Sequence, residues 1–326
     1  MPPQDYFLSD EENERIFREQ ICPDEFGPAA RPHDRRDGTR PLCVLIAGQT
    51  GAGKTRTAPQ LVEALQRATT AAAPPVHLIA DTYKTYHPRY AALAAGAQPG
   101  LASPATGHDA RRWLARAVGH AGALRRDCVV ESACRAPGDF GELAALFRAA
   151  AGPGGGRVLV VVLAVHEAQS RLGVLVRYHG GLPEARSRGL PLRLTPRAVH
   201  DESYRGLERV AEFIDASDAV DKVVVVRRGN LVGYANARGA DGKWLRPPRT
   251  AEALEAERCR PGVQAELRAF RTDVETLRRE HADQVSGLDE IEALYDTMQS
   301  RTAVDGAEDE TSTLVPLDCQ RFLELD

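Results

Sequence analysis

Eight consecutive residues, Gly48-Gln49-Thr50-Gly51-Ala52-Gly53-Lys54-Thr55, fit the pattern G-x-x-x-x-G-K-[ST] at every fixed position. Each residue type has a chemical reason. Glycines let the backbone take positive φ and approach an anion with no Cβ in the way. Such a loop points several N–H groups at one phosphate chain, and a helix starting behind it adds the positive end of its dipole. Lys54 would bridge the β- and γ-phosphates of a nucleotide, and the Thr55 hydroxyl would hold Mg²⁺. Lys54 is one of four lysines among 42 basic residues, so a bare glycine turn does not account for it.

Other residues could supply the rest of a phosphoryl transfer. Asp81 follows the apolar run Val76–Ala80, where a carboxylate can accept a proton from an acceptor hydroxyl or cap a helix. Glu131 ends the run Cys128–Val130 and would either bind a sugar hydroxyl or support Mg²⁺. Arg177 closes a helical pattern, and Arg193 precedes Thr195-Pro196. Between them, residues 179–195 are rich in glycine, proline and arginine, the composition of a lid that brings cations to a triphosphate. A base-reading N-K-x-D string, expected of a GTPase switch, is missing.

The elements that must position these groups are legible as well. Apolar runs at 42–47, 76–80, 128–130, 158–165 and 223–226 read as strands buried on both faces. Helical patterns at 54–69, 109–124, 139–150, 167–178 and 196–215 alternate with them. This predicts an α/β fold: a three-layer, mostly parallel sheet with helices on both faces. Gly229-Asn230 predicts a hairpin that adds an antiparallel strand. Ser9, with Glu12 three residues on, predicts a capped helix over 9–20, followed by a proline-rich connection over 23–41. Val263, Leu267, Phe270, Val274 and Leu277, then Leu288, Ile291 and Tyr295, predict a helical extension with one apolar stripe. The expected division is an N-terminal helix and linker (1–40), a catalytic domain (41–260), a helical extension (261–300) and an acidic tail (301–326).

Composition excludes several classes. A net charge of −4, from 42 basic and 46 acidic side chains, is not that of a general nucleic-acid binder. No apolar stretch reaches the roughly 18 residues of a membrane span. The acidic N-terminus lacks a signal core, so the expected location is the cytoplasm, and the six scattered cysteines are expected as thiols.

Several segments resemble, in order, the zeta toxins, P-loop kinases of bacterial toxin–antitoxin systems. They are GQTGAGKT at the phosphate loop, ADTYKTYHPRY, VVESACR, RLGVLVRY and RLTPRAVHDESY, spread over residues 40–215. The resemblance implies a P-loop NTPase-type fold, with ATP or GTP and Mg²⁺ as cofactors and an antitoxin as partner. It implies phosphorylation of UDP-N-acetylglucosamine on the sugar's 3′-hydroxyl. It sets Asp81 on the catalytic base, Lys54 and Thr55 on the phosphate loop, and Arg177 and Arg193 on the γ-phosphate. Glu131, with Ser132 and Arg135 beside it, falls on the substrate-contacting segment. The chain has Glu131-Ser132-Ala133 where the family often has Glu-Gly-Thr. Two other readings compete: a P-loop phosphotransferase with an antibiotic or nucleotide acceptor, and a non-catalytic nucleotide-binding regulator.

Overall fold

The computed structural model describes residues 4–28, 30–32, 39–68, 73–97, 99–132, 136–188, 194–281, 285–300 and 314–324. Helix α1 (Asp10–Ile16) starts at Ser9, whose hydroxyl accepts from the Glu12 amide at 3.1 Å. A π-helical turn, Phe17–Ile21, leads straight into α2 (Cys22–Phe26). Pro23 therefore does not end the helix as expected. The wider π turn shifts the hydrogen-bond register where proline lacks its N–H. The connection begins instead at Gly27, whose φ of +89° closes α2.

The sheet elements follow: β1 (Leu42–Ala47), α3 (Lys54–Ala68), β2 (Val76–Ile79), α4 (Ala80–Tyr83), α5 (Tyr90–Ala95), α6 (Ala102–Ala123) and β3 (Cys128–Ser132). Next come α7 (Pro137–Ala150), β4 (Arg157–Leu163), α8 (Glu167–Arg188), α9 (Arg197–Ala216), β5 (Lys222–Val226) and β6 (Val232–Ala237). The strand order is β2-β3-β1-β4-β5-β6. The first five are parallel, and β6 pairs antiparallel to β5 through the expected hairpin. The α/β architecture is as the alternation predicts.

Strand pleating sends Cys43, Leu45 and Ala47 into a core with Trp113, Phe140, Phe147 and Ile214, from helices on one face. Val44 and Ile46 point the other way, onto Leu61 and Leu65 of α3. Both faces are covered, so the strands are apolar throughout. The carboxyl ends of the parallel strands then share one edge, where ligands bind in such sheets.

Two segments depart from expectation. Helix α8 does not stop at Tyr178 but runs to Arg188, so most of the expected lid is helix. Its buried stripe of Ala168, Leu172 and Leu175 is prolonged by buried His179, whose ring meets His281 at 4.7 Å. This packing overrides the glycine and proline signals. Helix α10 (Thr250–Cys259), not expected, buries Leu254 and Arg258. The extension itself forms two helices, α11 (Gln264–His281) and α12 (Leu288–Ser300), whose apolar stripe packs on α8.

Residues 314–324 are packed, where charge alone predicts an acidic tail. Leu317 N donates to Asn230 O at 2.7 Å, and Val232 N to Val315 O at 3.0 Å, so this segment pairs with the hairpin. Helix α13 (Cys319–Leu323) then buries Phe322 and Leu323 in the core on the α3 face. Burial of these two apolar side chains outweighs the charge of their neighbours. Among the described residues no helix is long and apolar enough to cross a membrane.

Candidate active site

Residues 48–53 bridge β1 and α3, as the motif requires. Gly51 and Gly53 take φ values of +83° and +102°. At Gly51 a Cβ would also lie 2.0 Å from the Ser170 carbonyl oxygen, so α8 itself closes that space. Thr50, Gly51, Ala52, Gly53, Lys54 and Thr55 line a cavity of about 1680 Å³. Gly48 and Gln49, also expected to bind the cofactor, do not line it. Gln49 is buried beneath the loop because its amide has protein partners on both sides. Its Nε2 donates to Val165 O at 2.7 Å and its Oε1 accepts from Arg258 at 3.1 Å. Lys54 Nζ donates to Gly48 O at 2.7 Å and Gln49 O at 3.2 Å, which folds it back over the loop.

Thr55 Oγ1 donates to Glu131 Oε2 at 3.1 Å, and Glu131 Oε1 meets His77 Nε2 at 2.9 Å. The strand register explains this meeting, since Glu131 is flanked by Ile46 of β1 and Ile79 of β2. Glu131 is 5% exposed and faces the cavity. A hydroxyl beside a buried carboxylate is a hard-oxygen donor pair, and it fits Mg²⁺, which keeps several waters of its own.

Asp81 lies in the first turn of α4, directly after β2. Its carboxylate accepts from Lys84 Nζ at 2.5 Å, and the same ammonium donates to Ser103 Oγ at 2.7 Å. The Asp81 side chain is 78% exposed within the cavity mouth. Partial desolvation by the cavity walls works to raise its pKa. The charges of Lys84, Lys54 and Arg177 outweigh that and hold it below the usual carboxylate value. Asp81, Lys54, Thr55, Glu131, Ser132 and Arg177 all line the one cavity. Arg177 Nη2 donates to Thr195 Oγ1 at 3.2 Å, a contact between α8 and the start of α9. Arg193 and Arg135 lie outside the described residues.

The two histidine motifs brace the site. His87, 2% exposed, bonds Tyr6 O at 3.0 Å and accepts from Arg89 N at 3.2 Å, fastening the N-terminal segment. His200 lies between Ser170 Oγ (2.9 Å) and Asp201 Oδ1 (3.1 Å). That order resembles a nucleophile triad, but Ser170 has no exposure and cannot meet a substrate. Burial lowers the His200 pKa, against the opposing pull of Asp201. The ring is then neutral, and its Nδ1–H donates to the carboxylate.

Sequence reading missed the second support of the loop. Thr50 N donates to Ser203 Oγ at 3.2 Å. Arg258, 3% exposed, reaches Gln49 and Glu208 while its guanidinium lies 3.7 Å from the Tyr204 ring centroid. Arg228 Nη2 donates to Gly51 O at 2.9 Å and Gln169 O at 3.1 Å. Serines and arginines at these distances in sequence carry no local signal. Only the periodic burial of α10 could have drawn attention to Arg258.

Comparison with known proteins bears on this arrangement. A search of curated proteins returns no match. The fold is similar to that of a structure of the PezAT chromosomal toxin–antitoxin system of Streptococcus pneumoniae. The TM-score is 0.62 at 16% identity, over 84% of this chain and 99% of that one. It is also similar to a structure of the AvrRxo1-ORF1:-ORF2 complex, with TM-score 0.49 and 14% identity over 88% and 84% of the two chains. At 16% identity the first of these likenesses is one of fold. The zeta toxin family profile, however, matches residues 29–238, from before β1 through the β5–β6 hairpin. The phosphate loop, Asp81, Glu131 and Arg177 all fall inside that match, and the chain belongs to the zeta toxin family.

Proposed function

We propose that this chain is a kinase that uses ATP or GTP with Mg²⁺ to phosphorylate the 3′-hydroxyl of UDP-N-acetylglucosamine, acting in the cytoplasm as a toxin. The observation that carries the reading is that Asp81 opens into the same cavity as Lys54 and Thr55. A carboxylate on one side of a phosphate loop is what an acceptor hydroxyl needs. That hydroxyl loses its proton to Asp81 as its oxygen bonds the γ-phosphorus. The bond from the γ-phosphorus to the β,γ-bridging oxygen breaks, and its electrons leave with the nucleoside diphosphate. Lys54 and Arg177 meet the charge that spreads over the transferring group, and Arg193 is assigned the same task by its place in the family motif. Thr55 and Glu131 would hold Mg²⁺, which supplies charge neutralisation at the phosphates when bound. Ser132 and Arg135 are assigned to the sugar nucleotide.

Membership of the zeta toxin family and the PezAT description of the neighbouring fold support an antitoxin partner as well. Such a partner would block the phosphate loop or the cavity mouth. The test is incubation of pure protein with Mg-ATP or Mg-GTP and a panel of sugar nucleotides, antibiotics and nucleosides, with product mass as the readout. Asp81→Asn should cut transfer by about 10²–10⁴ while nucleotide still binds. Lys54→Ala should weaken both. Transfer to a different acceptor class would replace the proposed substrate, and near-normal turnover by Asp81→Asn would make Asp81 a helix cap.

A further inference from the structure

The Glu131 carboxylate has a different partner on each oxygen: Thr55 Oγ1 at Oε2 (3.1 Å) and His77 Nε2 at Oε1 (2.9 Å). Three elements meet to make this arrangement. His77 of β2 pairs in register with Val129 of β3, which belongs to the core on the α3 face. Glu131 shares that face, because side chains two residues apart on a strand point the same way. Thr55 arrives over it in the first turn of α3. An ionised carboxylate only accepts, so the His77 ring carries its proton on Nε2 and donates.

We propose that His77 is the positioning residue for this carboxylate: its Nε2–H fixes Glu131 so that Oε2 stays turned to Thr55, where a divalent cation would be held. The proposal rests on the metal-dependent kinase reading and deepens it. The last torsion of a glutamate has only a broad preference of its own, so neighbours must set the plane of the carboxylate. Here those neighbours are Thr55 and His77. Glu131 and Thr55 line the cavity, whereas His77 is not among the residues that do. His77 therefore reaches the cavity only through Glu131. Packing alone does not call for a histidine at this place. Strand β2 is at the edge of the sheet and the His77 side chain is 28% exposed, a setting that suits a β-branched residue. What valine would lack there is the N–H. Outer hydrogen bonds of this kind orient the carboxylates that hold metals.

The test uses the full chain and compares nucleotide binding in Mg²⁺ and in EDTA by calorimetry, with whichever of ATP and GTP binds tighter. The ratio of the two dissociation constants reports the metal's share of binding. His77→Val removes the donor and keeps a side chain suited to a strand. It should bring that ratio about tenfold closer to one and leave the constant in EDTA as it was. His77→Gln keeps an amide N–H on the same side and should recover most of the ratio. An unchanged ratio in His77→Val overturns the proposal, as does a constant in EDTA that worsens as much as the one in Mg²⁺. A ratio that His77→Gln does not recover also overturns it, and in all three cases the phosphate loop and Glu131 keep their roles. A wild-type ratio of one takes the metal away from Thr55 and Glu131, and the proposal with it. Wild type that binds no nucleotide in either condition sinks the kinase reading itself.

Discussion

The Thr55 hydroxyl donates to the buried Glu131 carboxylate across 3.1 Å, tying the first turn of α3 to the end of β3. Sequence left Glu131 between a sugar contact and a metal role, and this geometry favours the metal. Glu131→Gln keeps an oxygen that accepts the same hydrogen bond and removes only the charge. We expect Mg²⁺ affinity in the nucleotide complex to fall by about 10- to 100-fold. Metal-free nucleotide should bind as before. Unchanged Mg²⁺ dependence of turnover in Glu131→Gln would return the residue to the sugar.

Lys84 sets when Asp81 can accept a proton. It is the nearest cation to a carboxylate whose pKa is already held below the ordinary 3.8. The base is thus ionised across the neutral range, and kcat should stay flat until the solution is strongly acid. Lys84→Met removes the largest opposing charge, so desolvation is less resisted and the acid limb of kcat should move to higher pH. The measurement is a pH–rate profile of both proteins. A limb that stays in place assigns Lys84 to packing against Ser103 alone.

The sheet and the phosphate loop were legible because each depends on short-range chemistry. Apolar runs follow from burial on two faces, and the loop is contiguous. The misread segments share a different cause. Gly180, Gly181 and Pro183 signal an end to α8, yet the helix continues because His179 has a tertiary partner in His281. His87 stands out as a motif residue, but its partner is the Tyr6 carbonyl, 81 residues away. The brace between Arg258 and Gln49 spans 209 residues and leaves no trace in either neighbourhood.

His200 should make the fold sensitive to acid. Its pKa is lowered from the ordinary 6.5 because the buried ring resists charging. The unfolded chain therefore takes up a proton before the native one. The contribution is complete above about pH 6.5 and is lost as pH falls through the lowered native value. Burial also lowers the pKa values of His108, His120 and His179, which add in the same direction. For His179 the nearby His281 works with burial, so its ring resists protonation further. Thermal melts between about pH 8 and pH 5 should show a falling midpoint, and His200→Gln should flatten part of that fall. An equal slope in the variant would mean that the Ser170–His200–Asp201 arrangement does not respond to acid.

Arg258 gives the sharpest separation of positioning from packing. It sits on α10, outside the residues matched by the family profile, and is not among the residues that line the cavity. Yet it supplies a hydrogen bond to Gln49, whose amide underlies the loop that Lys54 folds over. Arg258→Met keeps an unbranched apolar side chain but removes the guanidinium that lies over Tyr204, and leaves the Gln49 oxygen and Glu208 without this donor. An unsatisfied buried acceptor costs about 1–3 kcal/mol, so the melting midpoint should drop. If the brace shapes the loop, the KM for nucleotide should rise as well, while the KM for the acceptor stays put. Arg258→Lys keeps the charge without the planar fork and should recover stability more than nucleotide affinity. A lower midpoint with an unchanged nucleotide KM in both variants would make Arg258 a packing residue, and Gln49 would hold the loop through Val165 alone.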